Sequence, residues 1–180
     1  MPFIGKSRPR KSRPPTRSVR PGYSLIELLV AVAILGIILA FAFPSFNNSQ
    51  SVRALDNEAG TIVMAIQTAK WRAATTGISH RLRFVSTDSS WAYRIERETV
   101  SGTWTLLPGT NERGISGSFG ITVNLPTSLD VVFRPTGLVS NYETGKNTIT
   151  LTSAKLQNLG EPGQRTILLY AGGSVRLAKS

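Results

Sequence analysis

One apolar segment near the N-terminus constrains this chain more than any other feature. Residues 23–46 carry a single charge, at Glu27, and the uncharged apolar run 28–43 is 16 residues long. As an α-helix with a rise of 1.5 Å per residue, the whole segment measures roughly 36 Å, which is enough to cross a hydrocarbon core of about 30 Å. The sequence therefore predicts a transmembrane helix over residues 23–46.

The charges on either side of this segment predict its orientation. Residues 1–22 form a leader with seven basic and no acidic residues, and no basic residue follows the segment until Arg53. Positive charges favour the cytoplasmic side, so we expect the N-terminus in the cytoplasm and the rest of the chain in the periplasm. The leader holds most of the formal net charge of +11, and the remaining small surplus indicates an ordinary solvated surface.

Composition excludes several kinds of active site. The 180 residues suffice for one modest domain with an appendage. They include no Cys and one His, which excludes a disulfide framework, a Cys nucleophile and His-based zinc or iron centres. His80 lies in the inward phase of a predicted strand, as a structural histidine does. We therefore predict a protein that is not an enzyme, with no catalytic residue, metal or cofactor.

A carboxylate at the start of an apolar helix needs a partner, because an unpaired one costs about 2.5 to 3.5 kcal/mol at mid-membrane. The string 22–27, Gly-Tyr-Ser-Leu-Ile-Glu, resembles the processing site of type IV prepilins and of type II secretion pseudopilins. The resemblance implies that a prepilin peptidase cleaves between Gly22 and Tyr23 and methylates the new amino terminus of Tyr23. It also implies that Glu27 pairs with the terminal amine of a neighbouring subunit during assembly, and that Pro44 kinks the helix.

Two other interpretations of the segment stay open. The triplet 40–42, Ala-Phe-Ala, follows an apolar stretch with a basic lead-in, as in a secretory signal peptide cleaved after Ala42. The other interpretation is an uncleaved anchor that crosses the membrane once. A signal peptide would have to accommodate Glu27 within its apolar stretch. An uncleaved anchor would leave the string 22–27 and the position of Pro44 as coincidences.

The apolar pattern changes its period after the membrane segment. An apolar stripe with alternating steps of three and four residues predicts that an amphipathic helix continues over 47–77, with Gly77 as its left-handed cap. The stripe consists of Val52, Leu55, Ala59, Ile62, Ile66, Ala69 and Ala73. Its small residues suggest close packing on a sheet.

The remainder, 78–180, alternates with the period of β-strands between turn signals. Strands are predicted at 78–84, 91–98, 103–107, 121–125, 129–133, 148–152, 166–170 and 174–177. The predicted fold class is α+β: a long N-terminal transmembrane and amphipathic helix packed on an antiparallel β-sheet domain in the periplasm. The string 132–137, Val-Phe-Arg-Pro-Thr-Gly, and the closing hairpin 165–177 resemble the GspH/FimT group of minor pseudopilins and minor pilins.

Some minor pilins of the FimT type bind DNA through a Gly-Arg-x-Arg string near the C-terminus. The matching string here is Gly-Ser-Val-Arg at 173–176, which keeps the second Arg, Arg176, with Lys179 nearby. Arg81, Arg83 and Arg94 could extend a basic face, although acidic residues share their strand phase. A few phosphate contacts give weak, salt-sensitive binding, so we favour a solvated surface over nucleic acid.

The function implied by the resemblance is that of a minor pseudopilin, a structural subunit of the type II secretion pseudopilus that supports export of folded proteins. The expected partners are other pseudopilins or pilins, the prepilin peptidase and methyltransferase, the inner-membrane assembly platform and membrane lipid. The expected location is the inner membrane, with one membrane pass, and a filament after assembly. The alternatives are a FimT-like minor type IV pilin in pilus assembly or DNA uptake, and an exported β-domain with an unrelated ligand.

Overall fold

The secondary structure consists of one long helix followed by short strands and one short helix. A computed structural model describes residues 24–87, 90–126 and 128–180, without the side chains of 41–45. The helices are α1 (Leu25–Thr76) and α2 (Ala154–Asn158). The strands are β1 (His80–Ser86), β2 (Trp91–Val100), β3 (Thr103–Leu106), β4 (Arg113–Gly114), β5 (Gly120–Asn124), β6 (Asp130–Phe133), β7 (Thr148–Thr152), β8 (Gln164–Leu169) and β9 (Val175–Lys179).

The strands form two antiparallel sheets. The first sheet has the order β3-β2-β1-β6, with β4 paired to a further part of β2, and the second has the order β5-β7-β8-β9. Consecutive strands β1 and β2 pair along their length, from His80 with Arg97 to Ser86 with Trp91. Strand β6 adds to the other edge of β1, so a pairing distant in sequence completes the first sheet.

The second half of α1 supplies the central row of the hydrophobic core. Six residues of the predicted stripe are fully buried, and Val52 is partly buried against them. The buried six are Leu55, Ala59, Ile62, Ile66, Ala69 and Ala73. Inward residues of both sheets, such as Phe133 and Ile167, belong to the same core. Alanines at three of the six positions allow the close approach of helix and sheet that the sequence predicts.

The α+β class, with a long helix followed by antiparallel sheet, is confirmed. Gly77 follows the helix with a φ of +67°, as predicted for its cap. The prediction that Ile78 faces inward on a strand is wrong, since Ile78 is 41% exposed and β1 begins at His80. The helix cap at Gly77 leaves the chain two residues to turn before pairing starts. Strand β4 and helix α2 were not predicted.

The chain divides into two compact units, residues 1–42 and residues 43–180. All core residues belong to the second unit. Within the described residues, no helix contains a stretch long and apolar enough to span a membrane. The domain division into 1–22, 23–46, 47–77 and 78–180 stays a prediction.

Candidate assembly site on helix α1

The start of α1 is set by a serine followed three residues later by a glutamate. The amide N–H of Ile26 donates to Ser24 Oγ at 3.2 Å, and the amide N–H of Leu28 donates to the carbonyl oxygen of Ser24 at 3.1 Å. A Ser followed three residues later by a Glu is the sequence pattern of a capping box. Glu27 therefore lies in the first helical turn, where the positive end of the helix dipole stabilises its charge.

Glu27 is exposed and forms no ion pair within the described part of the chain. The predicted cleavage site at Gly22 and Tyr23 lies outside the described residues. A free carboxylate at the tip of an apolar helix is chemically suited to pair with a cation of another molecule. The role of Glu27 between subunits stays a prediction.

Apart from Glu27, the helix over residues 25–39 is apolar on every side. Eleven large apolar side chains are each at least 51% exposed. They are Leu25, Ile26, Leu28, Leu29, Val30, Val32, Ile34, Leu35, Ile37, Ile38 and Leu39. A helix that is apolar all round belongs in lipid or among other apolar helices, because no polar face is left for water. This first part of α1 thus requires cover that the described residues do not supply.

Pro44 lies inside α1. The helix is continuous from Leu25 to Thr76, so the proline does not end it. A proline removes one hydrogen bond of a helix and crowds the preceding turn. The predicted kink stays a prediction.

An ion-paired cluster fixes α1 to the second sheet. Arg165 on β8, 2% exposed, donates from Nε to Asp56 Oδ1 at 2.5 Å and from Nη1 to two carbonyl oxygens. Lys179 on β9 lies 2.9 Å from the other carboxylate oxygen of Asp56. Burial acts to raise the pKa of Asp56, but the hydrogen bonds from Lys179 and Arg165 outweigh it and hold that pKa below its ordinary value.

A second tie joins α1 to two tight turns. Lys70 Nζ donates to the carbonyl oxygens of Gly172 and Gly173, at 3.3 and 3.0 Å. Gly173 has a φ of +71°, and a Cβ atom there would lie 2.4 Å from the carbonyl oxygen of Gly137. The two turns therefore meet backbone to backbone, which only glycine permits. The string 173–176 begins with a glycine required for packing.

The two candidate DNA contacts are not brought together. Arg176 and Lys179 are three residues apart on β9, so strand alternation places them on opposite faces of the second sheet. Arg176 is exposed, whereas Lys179 is paired with Asp56.

Of the three arginines suggested for a basic face of the first sheet, Arg81 and Arg94 form ion pairs, and the ion pairs of the described residues do not include Arg83. Arg81 pairs with Glu96 at 2.6 Å and with Asp130 at 2.9 Å, and its guanidinium lies 4.4 Å from the ring centroid of Trp104. Arg94 pairs with Glu96 at 2.6 Å. This network is the feature that sequence reasoning missed. The sequence signal for this network was that basic and acidic residues occupy the same face of the predicted strands.

Glu96 shows how tightly this network is held. It is 4% exposed although its strand phase points away from the main core. Burial acts to raise the pKa of Glu96, but hydrogen bonds from Arg81 and Arg94 outweigh burial and lower that pKa. The arginines are thereby occupied with internal carboxylates.

His80 is a buried residue of the core, as predicted. It is 1% exposed, and its Nδ1 lies 2.8 Å from the carbonyl oxygen of Ile78. Its Nε2 has no hydrogen-bond partner in the described structure. No group of three His, Asp or Glu side chains among the described residues is placed to hold a metal ion.

Comparison of the sequence with known proteins gives matches at the N-terminus and along the chain. Residues 17–43 match the prokaryotic N-terminal methylation motif. The chain is 30% identical over 118 residues to the type IV major fimbrial protein FimA of Dichelobacter nodosus, covering 63% of this chain and 67% of that protein. A second FimA protein of that organism is 50% identical over 32 residues, which is 18% of this chain and 20% of the relative.

Comparison of the fold gives a match over most of the described chain. The minor pseudopilin EpsH from the type 2 secretion system of Vibrio cholerae superposes with a TM-score of 0.51 and 13% sequence identity. The superposition covers 69% of this chain and 95% of EpsH. At that identity the match concerns the fold alone.

Proposed function

The chain belongs to the family of type IV pilins and pilin-like proteins, and we propose that it acts there as a minor pseudopilin of a type II secretion system. In this role it is a structural subunit, not an enzyme, and it supports the export of folded proteins. The observation that carries the proposal is that the described chain combines two structural parts. The first part of α1 is apolar on all sides, with an exposed carboxylate in its first turn, and the second part of the same helix forms a hydrophobic core with the two sheets.

The apolar helix suits a subunit that passes from a membrane into a filament. In either surrounding, lipid or neighbouring helices cover the exposed side chains of residues 25–39. Glu27 then becomes the fifth residue of a chain that begins at N-methylated Tyr23. A buried carboxylate is stable when paired and costly when half the pair is missing, so Glu27 would reject a subunit docked out of register.

Membrane insertion and processing complete the proposal. The chain would cross the inner membrane once over 23–46, with its basic leader in the cytoplasm and residues 47–180 in the periplasm. Its partners would be the prepilin peptidase and methyltransferase, the assembly platform, membrane lipid and other pseudopilins. Support comes from the methylation motif at 17–43 and from the apolar exposure of α1.

A minor pilin of a type IV pilus is the second candidate. It is favoured by the sequence relative, a type IV fimbrial protein, whereas the pseudopilin is favoured by a fold match that covers 95% of EpsH. The DNA-uptake form of this candidate needs a basic surface. Two observations argue against such a basic surface. Arg176 and Lys179 lie on opposite faces of the second sheet, and Lys179 is paired with Asp56.

The experiment has two stages. Intact mass and N-terminal sequence of the protein from its native membranes should give a chain starting at N-methyl-Tyr23. A chain starting at Met1 or Phe43 would overturn the proposal and favour an exported β-domain. Deletion of the gene should then abolish secretion of folded exoproteins while pilus-dependent motility and DNA uptake persist; the reverse pattern would select the minor pilin.

A further inference from the structure

The first sheet ends at β3, and no further strand pairs with the outer side of β3 in the described part of the chain. The amide N–H of Leu107 donates to the carbonyl oxygen of Ile95 at 2.9 Å. In this antiparallel ladder Leu107 and Thr105 therefore direct their N–H and C=O groups toward β2. Trp104 and Leu106 have the alternate phase and direct theirs away from β2. Among the described residues, nothing hydrogen-bonds to these four outward groups.

The other sheet edges are better protected against pairing with a further strand. Along β6, the Asn141 side chain takes the place of a strand, because it accepts from the amide N–H of Val132 and donates to the carbonyl oxygen of Asp130. Strand β9 carries two cations, Arg176 and Lys179, and charged residues of this kind discourage pairing at an edge. The apolar residues of β5 are partly buried against the core. In contrast, β3 contains no charge and no proline, and three of its four residues are exposed.

A cation without a partner lies next to the β3 edge, on the inner face of the first sheet. Arg97 of β2 is directly opposite Thr105, so the two side chains share a face. Within the described residues Arg97 forms no ion pair, and its Nε is buried without a partner. Its two terminal nitrogens are not among the buried atoms that lack a partner, so an acceptor from outside can reach them. A guanidinium in this state favours a carboxylate brought by another molecule.

The outer face of the same edge is apolar. Leu106 is 43% exposed, and the ring of the half-buried Trp104 lies 4.4 Å from the guanidinium of Arg81. In an added antiparallel strand, the residues that bond to Trp104 and Leu106 lie beside these apolar side chains, since opposite residues share a face. The residue between them lies opposite Thr105, two strand spacings or about 10 Å from Arg97. The edge is therefore complementary to an extended segment with the order apolar, acidic, apolar.

We propose that β3 binds an extended segment of another filament subunit, which adds to the first sheet as an antiparallel strand and places a Glu or Asp side chain against Arg97. Backbone hydrogen bonds to Trp104 and Leu106 supply affinity, and Arg97 supplies selectivity for the acidic residue. A second copy of β3 would satisfy the backbone groups but would set Thr105 against Thr105 and leave Arg97 unpaired. The nature of the partner as a filament subunit rests on the proposed function, whereas recognition of an acidic strand does not.

The test is an NMR titration of the full, unassembled chain in detergent micelles. The probe is the acetylated and amidated pentapeptide Thr-Val-Glu-Val-Thr, and the same peptide with Gln in place of Glu is the uncharged control. We expect the Glu peptide to shift the amide signals of residues 103–107 saturably and to bind roughly three-fold more tightly than the Gln peptide. The absence of a saturable shift in 103–107, or equal binding of the two peptides, would overturn the proposal.

Methylated peptides test whether the contact is a strand pairing. Methylation of the backbone nitrogens of both valines removes the donors that face β3 and should abolish binding. Methylation of the backbone nitrogen of the Glu is the matched control, because that N–H points away from β3, and this peptide should bind within about two-fold of its parent. Binding that survives methylation of the valines would refute strand addition.

Variants of the protein assign the two contacts. Arg97→Met should bring the Glu and Gln peptides to equal affinity, while Arg83→Met, the matched control on the outer face of the sheet, should preserve their difference. Leu106→Pro removes an outward N–H and should block both peptides while leaving the pairing with β2 intact. A preference for Glu that persists in Arg97→Met, or full binding by Leu106→Pro, would contradict the assignment. Amide signals of β8 report that each variant is folded.

Sedimentation of the protein without peptide covers the alternative of a second copy, and we expect no self-association through β3. Self-association that Leu106→Pro abolishes would make a second copy the occupant and overturn the proposal. None of these measurements needs an assembled filament. Their failure would leave the N-terminal mass test untouched, and a wrong processing site would leave them untouched, so the two proposals can fail separately.

Discussion

The pair formed by Asp56 and Arg165 allows a quantitative test of how α1 is fixed to the second sheet. Asp56→Asn removes the charge with little change in size and leaves the guanidinium of Arg165, 2% exposed, without its counter-ion. Breaking a buried pair in this way costs about 3–5 kcal/mol. Asp56 is 30% exposed and Arg165 keeps two carbonyl acceptors, so we expect the lower end, about 3 kcal/mol.

The assay is urea unfolding of a soluble fragment, residues 47–180, which contains the whole described core. In thermal unfolding the same loss corresponds to a Tm lower by about 6–12 °C, at roughly 2–4 °C per kcal/mol for a domain of this size. The control is Glu143→Gln, which breaks the ion pair with Lys146, where both side chains are about half exposed. An exposed pair contributes about 0–1 kcal/mol.

A double variant separates the unpaired charge from other effects of the substitution. Adding Arg165→Met to Asp56→Asn replaces the stranded cation with an apolar side chain, so about 1 kcal/mol or more should be recovered. If Asp56→Asn lowered the free energy of unfolding no more than Glu143→Gln does, the reasoning would be refuted. Failure of the second substitution to restore stability would also count against it.

Three further predictions follow from other parts of the chain. Glu27→Leu should be processed and inserted normally yet enter filaments at least ten-fold less, as measured by immunoblotting of sheared or cross-linked filaments, because it removes the carboxylate of the proposed intersubunit pair. Gly173→Ala should destabilise by ~2 kcal/mol more than Gly145→Ala in urea unfolding, since both have positive φ but only at Gly173 would the added methyl group clash with backbone. The lowered pKa of Glu96 contributes stability that is fully present above its ordinary value of 4.5 and is lost as pH falls through the lower folded value. Unfolding between pH 6 and 3 should therefore show a smaller pH dependence in Glu96→Gln.

Each of these has an outcome that contradicts it. Normal filament incorporation of Glu27→Leu would show that the carboxylate has no role in assembly. Equal losses in the two glycine variants would mean that the turns move apart at no cost. An unchanged pH dependence in Glu96→Gln would place the acid sensitivity in other carboxylates.

The helix and most strands follow from local sequence. The stripe from Leu55 to Ala73 specifies one buried helical face, and alternation in β1 and β2 specifies which side chains point inward, because both periods are properties of neighbouring residues. Gly77 ends the helix where its left-handed φ is needed. The match of residues 17–43 to the N-terminal methylation motif likewise needs no help from tertiary structure.

Tertiary structure decided which elements meet. Pairing of β6 with β1, the division into two sheets, and the contact of Asp56 with Arg165 and Lys179 join residues far apart in sequence, so no local pattern specifies them. The ion pairs that result from these long-range contacts could not be predicted from residue spacing either. Arg81 and Arg94, which the sequence suggested for a basic face, form ion pairs with Glu96 and Asp130 within the first sheet.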